Sequence, residues 1–266
     1  MRRLRLGMMA GGGVDPDAVA FLLAAGITDA TISAAINTLV IQLKSFGVWT
    51  KLKAIYPFVG GTATTHKFNL KNPADTNAAF RLLFSGGWTH SANGIQGNGT
   101  NTFANTFYVP NSECDSENNS IAIYERTNLQ TQSYAIGASN GNQGLPFPFA
   151  LSSRYINNVA FYANGAYTPM GSGITNGTGF WLGFTDASSE IFYRNTLLIT
   201  SAALSVKSIS TFPLYIGANN GGGVAEFSGA RQYAFASMGG TKLTTTEAAN
   251  YYTAVQAFQT TLGRQV

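Results

Sequence analysis

The sequence predicts a mainly β protein: a two-sheet β-sandwich with a helical hairpin before it and one helix after it. From Phe80 onward, short apolar runs alternate with Gly, Asn, Ser and Pro, which is the cadence of strands joined by tight turns. Only 11% of the residues are charged, whereas 12% are aromatic. This composition disfavours disorder and predicts a surface built from Asn, Thr, Ser, Gln and Gly.

The chain begins with a basic arm, residues 1–13, whose charge comes from Arg2, Arg3 and Arg5. Residues 1–53 hold six basic and three acidic side chains, whereas residues 54–266 hold ten and nine. The body of the protein is therefore nearly neutral. Because a nucleic-acid binder needs a basic stripe on its folded body, we expect no nucleic-acid partner.

Residues 14–47 predict a helical hairpin. Asp15 is a good N-cap, Pro16 suits the first helical position and Gly26 ends the first helix. The second helix is predicted from about residue 29 to residue 46. Its apolar face repeats at helical spacing and contains Ile32, Ile36, Leu39, Leu43 and Phe46. That face needs a partner, either the protein's own β domain or a second subunit.

The remaining chain divides into a connector (48–79), the sandwich (80–243) and a C-terminal helix (244–266). Thr244 and Glu247 form a capping-box pattern at the start of that helix. We expect it to cover one side of the sandwich. Its apolar face contains Ala248, Tyr252, Val255, Phe258 and Leu262.

Residues 191–240 predict the closing strands of the sandwich. A Tyr-Arg-Asn turn at residues 193–195 follows one strand. A second strand, 213–217, leads into the Gly-rich turn 218–223, and a third strand covers 227–235. Loops at strand ends often carry binding function. We therefore name as candidates for glycan contact Trp88, Asp186, Asn195, Asn219 and Asn220. The alternative for the Asn and Asp residues is turn geometry, and Trp181, inside an apolar run, is expected in the core.

The segment Glu113-Cys-Asp-Ser-Glu117 is the strongest enzyme-like signal. On a strand, alternate carboxylates would face one cleft, and a retaining glycosidase needs two carboxylates about 5 Å apart. The flanking Pro, Asn and Ser residues instead favour an exposed acidic loop, with an oxygen-ligated Ca²⁺ site as a further alternative. We therefore expect no catalytic residue, and no cofactor unless this loop binds Ca²⁺.

Other sites of chemistry have little support. The only histidines, His66 and His90, lie in no compact ligand pattern, so no metal site is expected. Cys114 is the only cysteine and has no basic neighbour in sequence to activate it, so neither a disulfide nor a thiol nucleophile is expected. The first residues lack the apolar run of a signal peptide, and Val19–Ile27 is too short to span a membrane.

The closing strands, together with residues 86–106, resemble laminin-G-like and concanavalin-A-like jelly rolls. Residues 52–70 (LKAIYPFVGGTATTHKFNL) resemble a stretch found in virion proteins of tailed bacteriophages, in which a helical hairpin precedes such a stretch and a jelly roll follows it. The resemblance covers about residues 20–262. The Ca²⁺ ligands of laminin-G modules cannot be matched to residues of this sequence.

That resemblance implies a non-enzymatic virion protein, made in the host cytoplasm, with an outward-facing sandwich. Other virion proteins would bind the arm and hairpin, and we expect a homo-oligomer and a host-surface glycan as further partners. Two alternatives stay open. One is a purely architectural decoration protein without a ligand, and the other is a glycan hydrolase that uses Glu113 and Glu117.

Overall fold

A computed structural model describes residues 13–167 and 170–266. These residues form three layers: a helical layer, a first sheet and a second sheet. The predicted fold class, a β-sandwich of the jelly-roll kind with helices at both ends, is confirmed. Arg2, Arg3 and Arg5, predicted as an attachment arm, lie outside the described residues.

Within the described residues the chain forms five α-helices and seventeen strands. The helices are α1 (Pro16–Ala25), α2 (Ala30–Ser45), α3 (Ala63–His66), α4 (Pro110–Glu113) and α5 (Thr245–Thr261). The strands are β1 (Leu52–Tyr56), β2 (Leu83–Ser85), β3 (Thr89–Ser91), β4 (Gly94–Gln96), β5 (Phe103–Asn105), β6 (Ser120–Glu125), β7 (Ile136–Ser139), β8 (Phe149–Tyr155), β9 (Val159–Asn164), β10 (Met170–Gly171), β11 (Gly179–Thr185), β12 (Ser189–Arg194), β13 (Leu197–Ala203), β14 (Tyr215–Ile216), β15 (Asn219–Gly221), β16 (Val224–Glu226) and β17 (Gln232–Gly239).

The first sheet runs in the order β13-β12-β11-β6-β17-β4-β3, and β1 also pairs with β17. Its central strands are covered on both faces. On β6, for example, Ile121 and Ile123 face the second sheet, whereas Ala122 and Tyr124 face the helical layer. This double cover explains why β6 is apolar from Ile121 to Tyr124 rather than alternating.

The second sheet runs in the order β10-β9-β8-β7-β14-β5-β2, and β15 adds to β7 in the parallel direction. Its inner face meets the first sheet in a core that includes Phe149, Leu151 and Ile216. A small aromatic cluster around Tyr134 and Phe161 covers part of its outer face. The end of that face at β14, β5 and β2 is less covered.

The helical layer contains α1, α2 and α5. Asp15 caps α1, and Gly26 ends it in the left-handed region, as predicted. Asp29 caps α2, and Thr244 and Glu247 form the predicted capping box of α5. The apolar faces of all three helices share one core with the outer face of the first sheet. The partner of the hairpin is therefore the protein's own sheet and C-terminal helix.

The strand boundaries around residues 213–240 differ from the prediction. The Gly-rich stretch predicted as one turn is a short hairpin, β15–β16, that turns at Gly222 and Gly223. Residues 227–231 precede the last strand instead of beginning it. The connector 48–79 contributes β1. At residues 219–221, local composition predicted a turn because Asn and Gly favour turns, but pairing with β7 makes these residues an extended strand.

Candidate functional site

Two of the predicted glycan-contact residues, Asn219 and Asn220, are buried on β15. The Asn220 side chain donates to the Pro213 carbonyl at 2.8 Å and accepts from the Gly223 amide at 2.9 Å. The Asn219 amide nitrogen donates to Ser139 Oγ at 3.0 Å. Both side chains brace the hairpin against its neighbours, so neither presents its amide to solvent.

Asp186 and Asn195 lie at opposite ends of β12, whose six residues span roughly 20 Å. The Asp186 carboxylate accepts from the amides of Ser188 and Ser189 at 2.8 and 2.7 Å and so closes the β11–β12 turn. Asn195 has a φ of 56°, and its Oδ1 accepts from the Phe180 amide at 2.9 Å. The structure therefore does not bring these two residues into one site.

Trp88 is half-buried beside the second sheet. Its indole nitrogen donates to the Phe103 carbonyl at 3.1 Å, and its ring makes an edge contact with Phe84. A Cβ at Gly217 would come within 2.6 Å of the Trp88 ring, so glycine is required there for the ring to lie on the backbone. Trp88 is thus held in place next to the less covered end of the second sheet.

The less covered end of the second sheet presents a patch formed by three neighbouring strands. Leu83 on β2, Asn105 on β5 and Tyr215 on β14 are direct cross-strand partners. Such partners share a face, and Phe103, two residues from Asn105, shares it too. Ser85 is the cross-strand partner of Phe103 and therefore lies on the same face. We call Leu83, Ser85, Phe103, Asn105 and Tyr215 the outer-sheet patch.

The residues that alternate with the patch confirm its orientation. Phe84, Ala104 and Ile216 pack in the core between the sheets. The patch therefore lies on the opposite, outer face. Leu83 is 50% exposed there, Phe103 is half-buried and Tyr215 is 8% exposed, and the rings of Phe103 and Tyr215 stack with their centroids 4.5 Å apart. The stacked pair fixes a rigid apolar surface at the strand ends.

Three polar groups of the patch have no hydrogen-bond partner within the described residues: the Ser85 hydroxyl, the Asn105 amide nitrogen and the Tyr215 hydroxyl. Asn105 Oδ1 accepts from the Phe107 amide at 2.9 Å, which orients the amide nitrogen. Partial burial raises the pKa of Tyr215, so its hydroxyl stays protonated at neutral pH. The patch thus combines apolar surface with uncharged donors and acceptors, and it contains no charged side chain.

The acidic loop does not form the strand that a glycosidase arrangement would need. Glu113 ends the one-turn helix α4 and pairs with Lys53 at 3.0 Å. Asp115 Oδ1 accepts from the amides of Glu117 and Asn118 at 2.8 and 2.7 Å. The segment is a turn in which Asp115 stabilises the backbone, and alternation of side chains along a strand does not apply to it. It is a loop, as the main alternative predicted, but only Asp115 is exposed and Ser116 is buried.

No group of three or more His, Cys, Asp or Glu side chains is arranged to hold a metal ion in residues 13–167 and 170–266. Burial raises the pKa of the Cys114 thiol to about 12. The thiol is therefore protonated at neutral pH and a poor nucleophile. Within the same residues, no helix is both long and apolar enough to cross a membrane.

Sequence reasoning missed two features. The patch draws on strands far apart in sequence, so no local motif marks it. The two histidines are in direct contact, with Nδ1 of His66 2.9 Å from Nδ1 of His90. Their separation of 24 residues gave no sign of this contact.

No family model and no curated protein matches this chain. Among solved structures, domain 4 of an extracellular arabinanase from Geobacillus stearothermophilus, in complex with arabinotriose, is 14% identical, with a TM-score of 0.43 and coverage of 76% of this chain and 98% of that one. The CBM40 of the Ruminococcus gnavus IT-sialidase, bound to α2,3-sialyllactose, is 15% identical, with a TM-score of 0.40 and coverage of 49% and 80%. The binding domain of botulinum neurotoxin serotype D is 10% identical, with a TM-score of 0.49 and coverage of 77% and 51%. Similarities this distant identify no ligand for this chain.

Proposed function

We propose that this protein is a non-enzymatic carbohydrate-binding sandwich and that the outer-sheet patch contacts a neutral glycan. The observation that carries the proposal is the patch itself: a stacked Phe103–Tyr215 pair beside three unpartnered polar groups. The apolar faces of sugar rings pack on aromatic surfaces, and their hydroxyls exchange hydrogen bonds with amides and phenols. A patch without Lys or Arg favours a neutral glycan over an acidic one.

The test is a glycan array on the full-length protein, followed by calorimetry on any neutral oligosaccharide that binds. Phe103→Ala should remove most of the binding because it removes the stacked surface. Tyr215→Phe keeps the ring and deletes one hydroxyl, so it should weaken binding about fivefold to tenfold, the value of one hydrogen bond.

The matched control is Tyr252→Phe, because Tyr252 lies on α5 in the helical layer, on the opposite side of the protein. The glycan affinity of the Tyr252→Phe variant should equal that of the unmodified protein. Two results would reject the proposal: no binding to any glycan, which favours the purely architectural alternative, or binding that survives both Phe103→Ala and Tyr215→Phe. Polysaccharide cleavage that is lost in Glu113→Gln and Glu117→Gln would favour the hydrolase instead.

We further propose, on the sequence resemblance alone, that the protein is a virion component attached through its basic arm. Because α1 and α2 share a core with the first sheet, removal of residues 1–47 would expose that sheet. The informative truncation removes residues 1–12. It should abolish incorporation into particles while leaving the unfolding midpoint unchanged, and normal incorporation would exclude attachment by the arm.

A further inference from the structure

The only two histidines of the chain form a hydrogen-bonded pair between α3 and β3. His66, which ends α3, is 1% exposed, and His90, on β3, is half-buried. Phe58 contacts the His66 ring and Phe84 contacts the His90 ring. Aromatic rings therefore flank the pair, and His66 is closed off from water, whereas His90 is partly accessible.

The hydrogen bonds around the pair determine which nitrogen carries each proton. The Gly61 backbone N–H donates to Nε2 of His66 at 3.2 Å, so that nitrogen must be unprotonated. Neutral His66 then carries its proton on Nδ1 and donates it to Nδ1 of His90. The neutral His90 ring in turn carries its proton on Nε2. Both rings are thus neutral, each in one defined tautomer.

A further proton on His66 breaks a contact. It can add only at Nε2 of His66, where it would oppose the Gly61 N–H. A proton added at Nδ1 of His90 would oppose the Nδ1–H of His66 in the same way.

The charged surroundings add to this cost. The buried guanidinium of Arg264 lies nearby and donates to the carbonyls of Pro57 and Phe58 at 2.9 and 2.8 Å. Burial, His90 and Arg264 together lower the pKa of His66 to about 3, and burial lowers that of His90.

No anion that could offset the added charge contacts the pair within the described residues. In the helical layer, Asp17 of α1 pairs with Lys44 of α2. Next to α3, Lys67 pairs with Asp75. Asp29, the N-cap of α2, lines a groove beside the turn that holds Gly61.

That groove, of about 330 Å³, separates the turn from the helical layer. Val59, Gly60 and Gly61 line one side, Ala92 lies beside them, and Ile32 of α2 and Leu262, just after α5, line the other. The His66–Gly61 hydrogen bond ties the turn to α3, and the His66–His90 bond ties α3 to β3. The pair thus holds the wall of the groove in place.

We propose that the His66–His90 pair is an acid-sensitive latch whose protonation releases the turn at Gly60 and Gly61 and widens the groove beside the helical layer, while Arg264 keeps residues 57 and 58 in place. The released state takes up protons that the closed state cannot hold, so acid favours release. Release should begin below about pH 6.5, the ordinary pKa of histidine. The population of the released state should then increase about tenfold per pH unit for each proton taken up.

The test measures hydrogen exchange of the Gly61 amide between pH 6.5 and pH 5.0, above the range in which most carboxylates titrate. After correction for the intrinsic exchange rate, its protection should fall about tenfold per pH unit. The control is the double variant His66→Gln and His90→Gln, which does not titrate and should show no such slope. The same slope in the double variant, or a flat profile in the unmodified protein, would overturn the latch.

If the double variant does not fold, ¹⁵N spectra of the imidazoles in the unmodified protein decide instead. The latch requires a proton on Nδ1 of His66 and on Nε2 of His90 at pH 7. A proton on Nε2 of His66 would overturn it, and so would ordinary titration of both rings near pH 6.5 without any change at the Gly61 amide.

Discussion

The outer faces of the two sheets use similar residues in different ways. On the first sheet, Phe180 lies beneath α5, with its ring centroid 5.1 Å from that of Tyr251. On the second sheet, Phe103 and Tyr215 stack on each other, and no helix covers the half-exposed Leu83 beside them. An aromatic residue on a sheet therefore does not by itself indicate core or binding surface. What distinguishes the two faces is whether another layer buries them.

The largest expected effect comes from removing an aromatic ring from the covered face. Phe180→Ala should lower the free energy of unfolding by about 3–5 kcal/mol, because the ring is fully buried between Phe235 and Tyr251. Urea unfolding followed by circular dichroism measures the loss. A loss below about 1 kcal/mol would mean that the helices do not seal this face.

A smaller effect is expected at the β12–β13 turn, where Asn195 was predicted as a glycan contact. Asn195→Ala should cost about 1–2 kcal/mol, because alanine is strained at a φ of 56° and the cap on the Phe180 amide is lost. Asn195→Gly removes only the cap and should cost less. Both variants should bind glycan normally, and weakened binding would transfer the site to this turn.

The smallest effect on stability is expected at the open face. Leu83→Ala should change the free energy of unfolding by less than about 1 kcal/mol, because half of the side chain is already in solvent. The glycan affinity of the Leu83→Ala variant should nevertheless fall, and the same calorimetry measures this loss. A large loss of stability with unchanged affinity would show that this face is core after all.

The sequence predicted those parts of the fold that depend on local chemistry. α1 and α5 begin where Asp15 and Thr244 cap them, as predicted, because a cap needs only its own neighbours. The candidate site depends on cross-strand register between residues 83, 105 and 215, which local patterns do not encode. Asn219 was placed in a loop because its neighbours favour turns, but β15 is extended by pairing with β7, some 80 residues earlier.

The central position of β17 has a consequence for the order in which the protein can fold. This strand, residues 232–239, pairs with β1, β4 and β6, and the last helix closes the layer that α1 and α2 begin. During synthesis, β6, β11, β12 and β13 can pair with one another, but β1 and β4 can join them only once β17, in the last seventh of the chain, has been made. Pairings this distant in sequence are slow to form. Until they do, the edge of β6 that pairs with β17 stays open, and in that interval the nascent protein should depend on chaperones.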